Sequence, residues 1–179
     1  MDFSKLAARA KVARRSAMRY FEILEDSLLV RRVDPHGDLE LADLVRHPKF
    51  YFFDPGVLNG LLGNFGVSGD RSGNLFEHLF VSQLWASTAA FDRDLRLGTL
   101  RTRGGLEVDF VVTLGGDTWL IEVKSTSSPQ GGDIRPLKRA ALRLPSSIRC
   151  MLAHAGSTER VIDGVPALPW QKALAEMGL

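Results

Sequence analysis

The spacing of apolar and polar residues divides the chain into a helical N-terminal part and a part in which helices and strands alternate. Near-helical spacing predicts a short helix at 6–10 and a longer helix at 14–28, with a turn between them. Strand-like runs follow at 29–33 and 39–41 and are separated by a second turn. We interpret residues 1–46 as a helix-turn-helix with a wing, which is a small winged helix.

From residue 47 the pattern becomes that of a second domain, 47–179, with both helices and strands. Its strand-like runs are 49–53, 107–114, 118–124 and 148–153. Its helical patterns are 57–62, 75–86, 137–144 and 171–177. A loop is expected at 63–73, and Asn74 is expected to cap a largely buried helix at 75–86. The second domain is therefore predicted to be α/β.

The predicted hairpin at 107–124 carries the most informative polar residues. Gly115-Gly116 suits a two-residue turn, which sets Asp109 opposite Glu122. A turn one residue later sets Asp109 opposite Lys124, but this shift keeps the same side chains on the same face. Asp109, Glu122 and Lys124 are therefore expected on one face, and the other face is expected to be apolar, with Val108, Phe110, Val112, Trp119, Ile121 and Val123.

These polar residues have the chemistry of a divalent-metal site. Opposed carboxylates about 5 Å apart repel each other unless positive charge lies between them, and Mg²⁺ prefers oxygen ligands. Lys124 is suited to hold a phosphate or to orient an attacking water, and the helical carboxylate Glu77 is suited to complete the acidic cluster. An isolated Glu122-Val123-Lys124 is usually a solvated or cross-strand ion pair, and Glu77 or Asp109 taken alone is explained by pairing with a basic neighbour. Their order, Glu on a helix, Asp on one strand and Glu-x-Lys on the next, points to catalysis.

Composition and charge exclude several other kinds of protein. Cys150 is the single cysteine and the four histidines are scattered, so neither a disulfide nor a zinc site is expected. No apolar run is long enough to cross a bilayer, so we expect a cytoplasmic protein without a membrane partner. The net charge is only +2, but the first 32 residues contain eight basic and four acidic side chains. The basic excess is local to the N-terminus.

Three motifs resemble the C-terminal DUF4143 domain of bacterial and archaeal P-loop ATPases: Gly-Asn-Leu-Phe-Glu at 73–77, Glu-Val-Asp-Phe at 107–110 and Ile-Glu-Val-Lys at 121–124. The segments 6–30 and 49–56 resemble the winged-helix linker and the start of that domain. The DUF4143 domain is similar to PD-(D/E)XK nucleases. The resemblance implies a restriction-endonuclease-like core, with a central mixed sheet flanked by helices, after a small winged-helix domain.

The resemblance also implies a site and a function. It makes Glu77, Asp109, Glu122 and Lys124 catalytic, with Asp109, Glu122 and Glu77 as ligands of Mg²⁺ or Mn²⁺. A DNA-associated, metal-dependent nuclease would use basic residues to contact phosphates, and the candidates are Arg14, Arg15, Arg19, Arg101 and Arg103. The alternative is a non-catalytic module that binds DNA or a protein and docks to a P-loop ATPase. The sequence contains no G-x-x-x-x-G-K-[ST] motif, so no ATP site is expected in this chain.

Overall fold

The computed structural model describes residues 1–36 and 43–179 as helices packed on β-sheets. The helices are α1 (Phe3–Ala10), α2 (Arg14–Asp26), α3 (Pro55–Leu62), α4 (Gly69–Ala90), α5 (Arg135–Ala141) and α6 (Trp170–Glu176). The strands are β1 (Val30–Val33), β2 (Lys49–Phe52), β3 (Leu95–Arg101), β4 (Glu107–Leu114), β5 (Asp117–Lys124), β6 (Arg149–His154), β7 (Arg160–Ile162) and β8 (Val165–Pro169). No helix in these two ranges is long and apolar enough to cross a membrane.

The predicted pair of N-terminal helices is present. The carboxylate of Asp2 caps α1 by accepting hydrogen bonds from the backbone N–H groups of Ser4 and Lys5. Lys11 then adopts a left-handed conformation with φ of 54°, which ends α1 and turns the chain into α2. The wing strand predicted at 39–41 lies outside the described residues.

Strand β1 pairs with β2 across the predicted domain boundary. The two strands are antiparallel, with Val30 opposite Phe52 and Val33 opposite Lys49. Immediately after β1, His36 donates its backbone N–H to the carbonyl oxygen of Thr99 on β3. The N-terminal part is thereby joined by backbone hydrogen bonds to the edge of the main sheet. The winged helix and the division at residues 46 and 47 stay predictions.

The main sheet has six strands in the order β3-β4-β5-β6-β8-β7. Strands β3, β4 and β5 form an antiparallel meander, β6 is parallel to both β5 and β8, and β7 is antiparallel to β8. Residues of α4 and α6, including Phe80, Leu84 and Leu174, pack against one face. Residues of α5, including Leu137 and Ala140, pack against the other face. The predicted central mixed sheet flanked by helices is confirmed.

The hairpin register follows the first of the two predicted alternatives. Leu114 lies opposite Asp117 and Phe110 lies opposite Ile121, so Gly115 and Gly116 form the turn. Both glycines have positive φ, which suits a turn that few other residues adopt without strain.

The prediction of one apolar and one charged face was wrong. Val111 and Leu120 are fully buried on the α5 side, because a sheet covered by helices on both faces must bury apolar residues on both. A β-bulge also changes the alternation: Val108 pairs with Leu100 and Val111 pairs with Gly98, so Asp109 and Phe110 lie opposite a single residue. Val108 therefore packs on the α5 side rather than beside Phe110.

The loop predicted at 63–73 is partly helical, since α4 begins at Gly69 after the N-cap residue Ser68. The guanidinium of Arg71 donates hydrogen bonds to the carbonyl oxygens of Asn64 and Gly66 and to the side chain of Asn59. These contacts tie the first turn of α4 to the preceding segment. They join residues that are five to twelve positions apart in the sequence. The loop-like composition of this stretch did not indicate such contacts.

Candidate functional site

The four predicted catalytic residues come from three elements of the core. Glu77 lies on α4, Asp109 lies in the bulge of β4, and Glu122 and Lys124 lie near the end of β5. Oδ2 of Asp109 accepts a hydrogen bond from the backbone N–H of Val123 at 3.0 Å. This side-chain bond spans β4 and β5 just beyond the paired residues Phe110 and Ile121, and it fixes Asp109 beside the end of β5.

Glu122 is a buried carboxylate with only one oxygen paired. Its side chain is 6% exposed, and Nζ of Lys124 lies 2.6 Å from its Oε1. Its Oε2 is buried and has no hydrogen-bond partner in the described part of the chain. Burial and the nearby charge of Asp109 raise the pKa of Glu122 to about 7, against the opposing effect of Lys124. The positive charge of Lys124 therefore does not fully offset the burial of this carboxylate and its repulsion by Asp109.

Asp109 is in a similar environment. Burial and the charge of Glu77 raise its pKa, whereas Lys49 and the N–H of Val123 oppose this shift. Two carboxyl groups with raised pKa values at one end of a hairpin are typical of a functional site.

Glu77 is held by two residues of β2. Its Oε1 lies 3.1 Å from Nζ of Lys49 and accepts a hydrogen bond from the hydroxyl of Tyr51. The same ammonium lies 3.6 Å from Oδ1 of Asp109 and 3.8 Å from Oε1 of Glu107. Burial alone would lower the pKa of Lys49, but these three carboxylates raise it. Lys49 therefore remains charged and links the helical acid to the hairpin.

Three further residues of the site, Lys49, Tyr51 and Glu107, were not predicted from the sequence. Lys49 and Tyr51 are two residues apart on β2, so their side chains leave the same face of that strand. This alternation was visible in the sequence. The position of β2 against α4 and β4 was not, because it depends on long-range packing.

Two cavities meet at Asp109. One of about 640 Å³ includes Lys49, Tyr51, Glu77 and Asp109 in its lining. Another of about 420 Å³ is lined by Gly105, Leu106, Glu107, Asp109, Glu122, Lys124, Gly132, Arg135, Pro136 and Arg139. The structure thus brings Asp109, Glu122 and Lys124 together in the second cavity, and it connects Glu77 to Asp109 through Lys49 in the first.

The donors at this site suit a hard divalent cation. Carboxylate oxygens are the ligands that Mg²⁺ and Mn²⁺ prefer, and the unpaired Oε2 of Glu122 is available to one. Asp109 and Glu122 are the two residues that fit this role. Within 1–36 and 43–179, no three acidic, histidine or cysteine side chains are already arranged as a metal-binding group. A third protein ligand, for which Glu77 is the candidate, stays a prediction.

The arginines predicted to contact nucleic acid lie in two places. Arg14, Arg15 and Arg19 are exposed on α2, where Arg19 pairs with Glu22 at 3.2 Å. Arg101, at the end of β3, lies 3.5 Å from Glu107 of the carboxylate cluster, and Arg103 is exposed in the following turn. Arg15 and Arg19 line a separate surface depression with Tyr20.

The metal-free protein is expected to become less stable as the pH rises from about 5 to about 8. The pKa of Glu122 is raised from an ordinary value of 4.5 to about 7, so the folded protein retains a proton that the unfolded chain has released. The contribution of this proton to stability is therefore complete when the pH is below 4.5, the ordinary pKa, and it is lost as the pH rises through about 7, the pKa in the folded protein. The expected loss from this residue is of order 3 kcal/mol.

Urea unfolding in EDTA at the two pH values measures this loss, and Glu122→Gln is the matched variant, since it cannot ionise. The lowered pKa values of Asp2, Asp43 and Asp70 have the opposite effect on stability, but those groups titrate below this window. The amino group of Met1, whose lowered pKa has the opposite effect within this window, is present in both proteins. A loss of stability in the native protein no larger than that in Glu122→Gln would therefore contradict the raised pKa of Glu122.

Comparison with known families agrees with the predicted resemblance. A family model described as a domain of unknown function, DUF4143, matches residues 72–173. This region is more than half of the chain and contains Glu77, Asp109, Glu122 and Lys124. The chain belongs to the DUF4143 family. A second model, described as the domain of unknown function DUF8612, matches residues 1–68, which precede the DUF4143 region.

Two curated relatives of this DUF4143 chain are uncharacterised mycobacterial proteins. They are Rv2008c of Mycobacterium tuberculosis and Mb2031c of Mycobacterium bovis, and each is 33% identical over 176 residues. The match covers 96% of this chain but 38% of each relative, so the chain spans less than two fifths of their length.

Among solved structures, a type III CRISPR defence DNA nuclease activated by cyclic oligoadenylate is similar to this chain at 19% identity. The TM-score is 0.39, and the match covers 68% of this chain and 22% of that one.

Proposed function

We propose that this chain is a DNA-associated, metal-dependent nuclease-like domain that hydrolyses phosphodiester bonds. The observation that carries the proposal is the buried Glu122, whose Oε2 has no partner among the described residues although Asp109 and Lys124 are beside it. A buried, incompletely paired carboxylate costs stability. A ligand in the adjoining cavity explains why such a group is present.

Each of the three hairpin residues has a distinct part in this proposal. A divalent cation held by Asp109 and Glu122 would supply an activated water and offset the charge on the leaving oxygen. Lys124 keeps Oε1 of Glu122 occupied, which leaves Oε2 for a ligand. The Lys124 side chain is 34% exposed and lines the same cavity, so its ammonium is placed to contact a phosphate oxygen.

The direct test is DNA cleavage by the 179-residue chain. Supercoiled plasmid and single-stranded DNA are incubated with protein in Mg²⁺, in Mn²⁺ and in EDTA. Nicking or degradation that requires the metal is the expected result. Intact DNA in both metals, with protein shown to be folded, would overturn the catalytic proposal.

Lys49 favours a second candidate, a non-catalytic module that binds DNA or a protein and attaches to a P-loop ATPase. Its ammonium already lies within 4.0 Å of Glu77, Asp109 and Glu107, so it neutralises part of the acidic cluster without a metal. On this account the cluster is structural. The match with this chain covers only 38% of each relative, so those proteins are long enough to contain further domains.

Replacing Lys49 with methionine separates the two candidates. If Asp109 binds a metal, loss of the ammonium 3.6 Å away should tighten Mn²⁺ binding by on the order of tenfold, since a competing positive charge is removed. If the cluster is structural, the variant should lose stability without gaining any measurable metal affinity. Calorimetric titration with Mn²⁺ and urea unfolding of the native protein and Lys49→Met measure the two effects. The control is Lys172→Met, which removes an exposed lysine paired with Glu159.

A further inference from the structure

The cavity that contains Asp109, Glu122 and Lys124 is bordered by two arginines to which the sequence analysis assigned no role. Arg135 and Arg139 both lie on α5 and line this cavity. Residues four apart on a helix share one face, and these two are separated by about 6 Å along the helix axis. They form a basic edge beside the carboxylates.

The core fixes the orientation of this edge. Leu137 and Ala140 of α5 are fully buried against the sheet, where they pack in one cluster with Leu120 and Leu152. Since this side of the helix is held by the core, the side that carries the arginines faces outward, and both arginines are exposed. The packing of α5 on the sheet therefore determines where the two arginines lie.

Both guanidinium groups are available to a ligand. In the part of the chain that the structure describes, neither Arg135 nor Arg139 forms an ion pair, although three carboxylates line the same cavity. The neighbouring cations are paired: Lys138 with Asp163 at 3.2 Å, and Arg143 with Asp43 at 2.7 Å. A guanidinium has five N–H donors in a planar fork that matches phosphate geometry.

We propose that Arg135 and Arg139, together with Lys124, bind the phosphate backbone of a DNA strand and position it over the carboxylates. This inference rests on the proposed nuclease function. The carboxylates inside the cavity repel an anion, and cations at the edge of the cavity reduce that repulsion even when no metal is bound. A strand with repeating phosphates meets Lys124 and both arginines together, and such contacts fix the register of a nucleic acid.

The arginines of α5, rather than those of α2, would then make the main contact with DNA. On α2, Arg19 is already paired with Glu22, and Arg15 and Arg19 line a depression whose lining includes neither Asp109 nor Glu122. On α5, the arginines share a cavity with both carboxylates. The proximity of the cations to the candidate metal ligands favours α5.

The test is binding of a fluorescein-labelled single-stranded oligodeoxynucleotide, followed by anisotropy in EDTA over a series of salt concentrations. The double variant R135Q/R139Q should bind the oligonucleotide at least about tenfold more weakly than the native protein does. The plot of log affinity against log salt should become shallower, with the magnitude of its negative slope reduced by about 1.4, as expected for two lost phosphate contacts. The matched control K138Q/R143Q removes the same charge from residues that are already paired. It should bind within about twofold of the native protein.

The inference would be overturned by any of the following results: no DNA binding by the native chain, equal loss of binding in the control, or a loss of binding confined to the variant R14Q/R15Q on α2. Competition by polyglutamate as effective as that by unlabelled DNA would also overturn it, because the edge would then bind any polyanion. The unfolding midpoint of each variant confirms folding. In R135K/R139K the salt slope should recover while part of the affinity stays lost, since lysine keeps the charge without the fork.

Binding in EDTA is independent of cleavage, so the inference and the proposed function fail separately. A chain that binds DNA through α5 but cuts nothing loses the proposed function only. A chain that cuts DNA equally well with and without Arg135 and Arg139 loses the inference only.

Discussion

Replacing Glu122 with glutamine is expected to slow metal-dependent DNA cleavage by at least about 100-fold. Loss of a residue that merely supports a metal ligand commonly costs 10-fold to about 100-fold, and Glu122 is proposed to be a ligand itself. Glutamine keeps the shape of the side chain but lacks the negative charge. The variant also removes the charge whose burial raises the pKa of Glu122, so it should be at least as stable as the native protein near pH 8.

Rates of plasmid nicking in Mn²⁺, measured for equal amounts of folded protein, give the comparison. Glu176→Gln is the matched control, because Glu176 is a half-exposed glutamate that pairs with Arg149 and lines neither cavity beside Asp109. Native rates in Glu122→Gln would remove Glu122 from the catalytic site. Equal loss in both variants would show that the effect is not specific to the site.

The second large effect is on stability. Phe110→Ala is expected to lower the free energy of unfolding by about 3–5 kcal/mol, the usual cost of deleting a buried phenylalanine ring. Phe110 is fully buried, and its ring centroid lies 6.0 Å from that of Phe80 on α4 and 5.9 Å from that of Tyr51 on β2. Its removal leaves a cavity where α4, β2 and β4 meet.

This substitution also bears on the site, because Phe110 follows Asp109 in the bulge and Tyr51 contacts Glu77. Urea unfolding of the native protein and the variant measures the change. Phe91→Ala, at the exposed end of α4, is the control and should change stability by less than about 1 kcal/mol. If Phe110→Ala costs no more than Phe91→Ala, the packing described around the bulge is wrong.

Local patterns in the sequence predicted the hairpin and the helix that carry the motif residues, but they did not predict the sheet strands β3, β7 and β8. Gly115-Gly116 between two apolar strands left two possible hairpin registers, and both set Asp109 on the same face as Glu122 and Lys124; the structure has the first of them. Alternation along β4 and β5 predicted the strands correctly. It did not predict the bulge at Asp109 and Phe110, because a bulge depends on how β3 pairs with β4 rather than on β4 alone.

The unpredicted parts of the site arise from contacts between distant segments. Lys49 and Tyr51 reach Glu77 only because β2 packs against α4, a contact across 26 or more residues. Arg135 and Arg139 border the carboxylates only because α5 returns to the sheet with Leu137 buried. The spacing of residues within a single element carries no information about such distances. The motif residues could therefore be predicted, whereas their charged neighbours could not.

Calorimetric titration with Mg²⁺ and Mn²⁺ tests the central claim, that Asp109 and Glu122 form a divalent-metal site, most directly. The native protein should bind metal, and more tightly near pH 8 than near pH 6, since protonation of Glu122 with a pKa of about 7 competes with binding. Asp109→Asn and Glu122→Gln should each abolish the binding heat while Glu176→Gln retains it. No heat from the native protein, or heat that survives in both site variants, would contradict the claim.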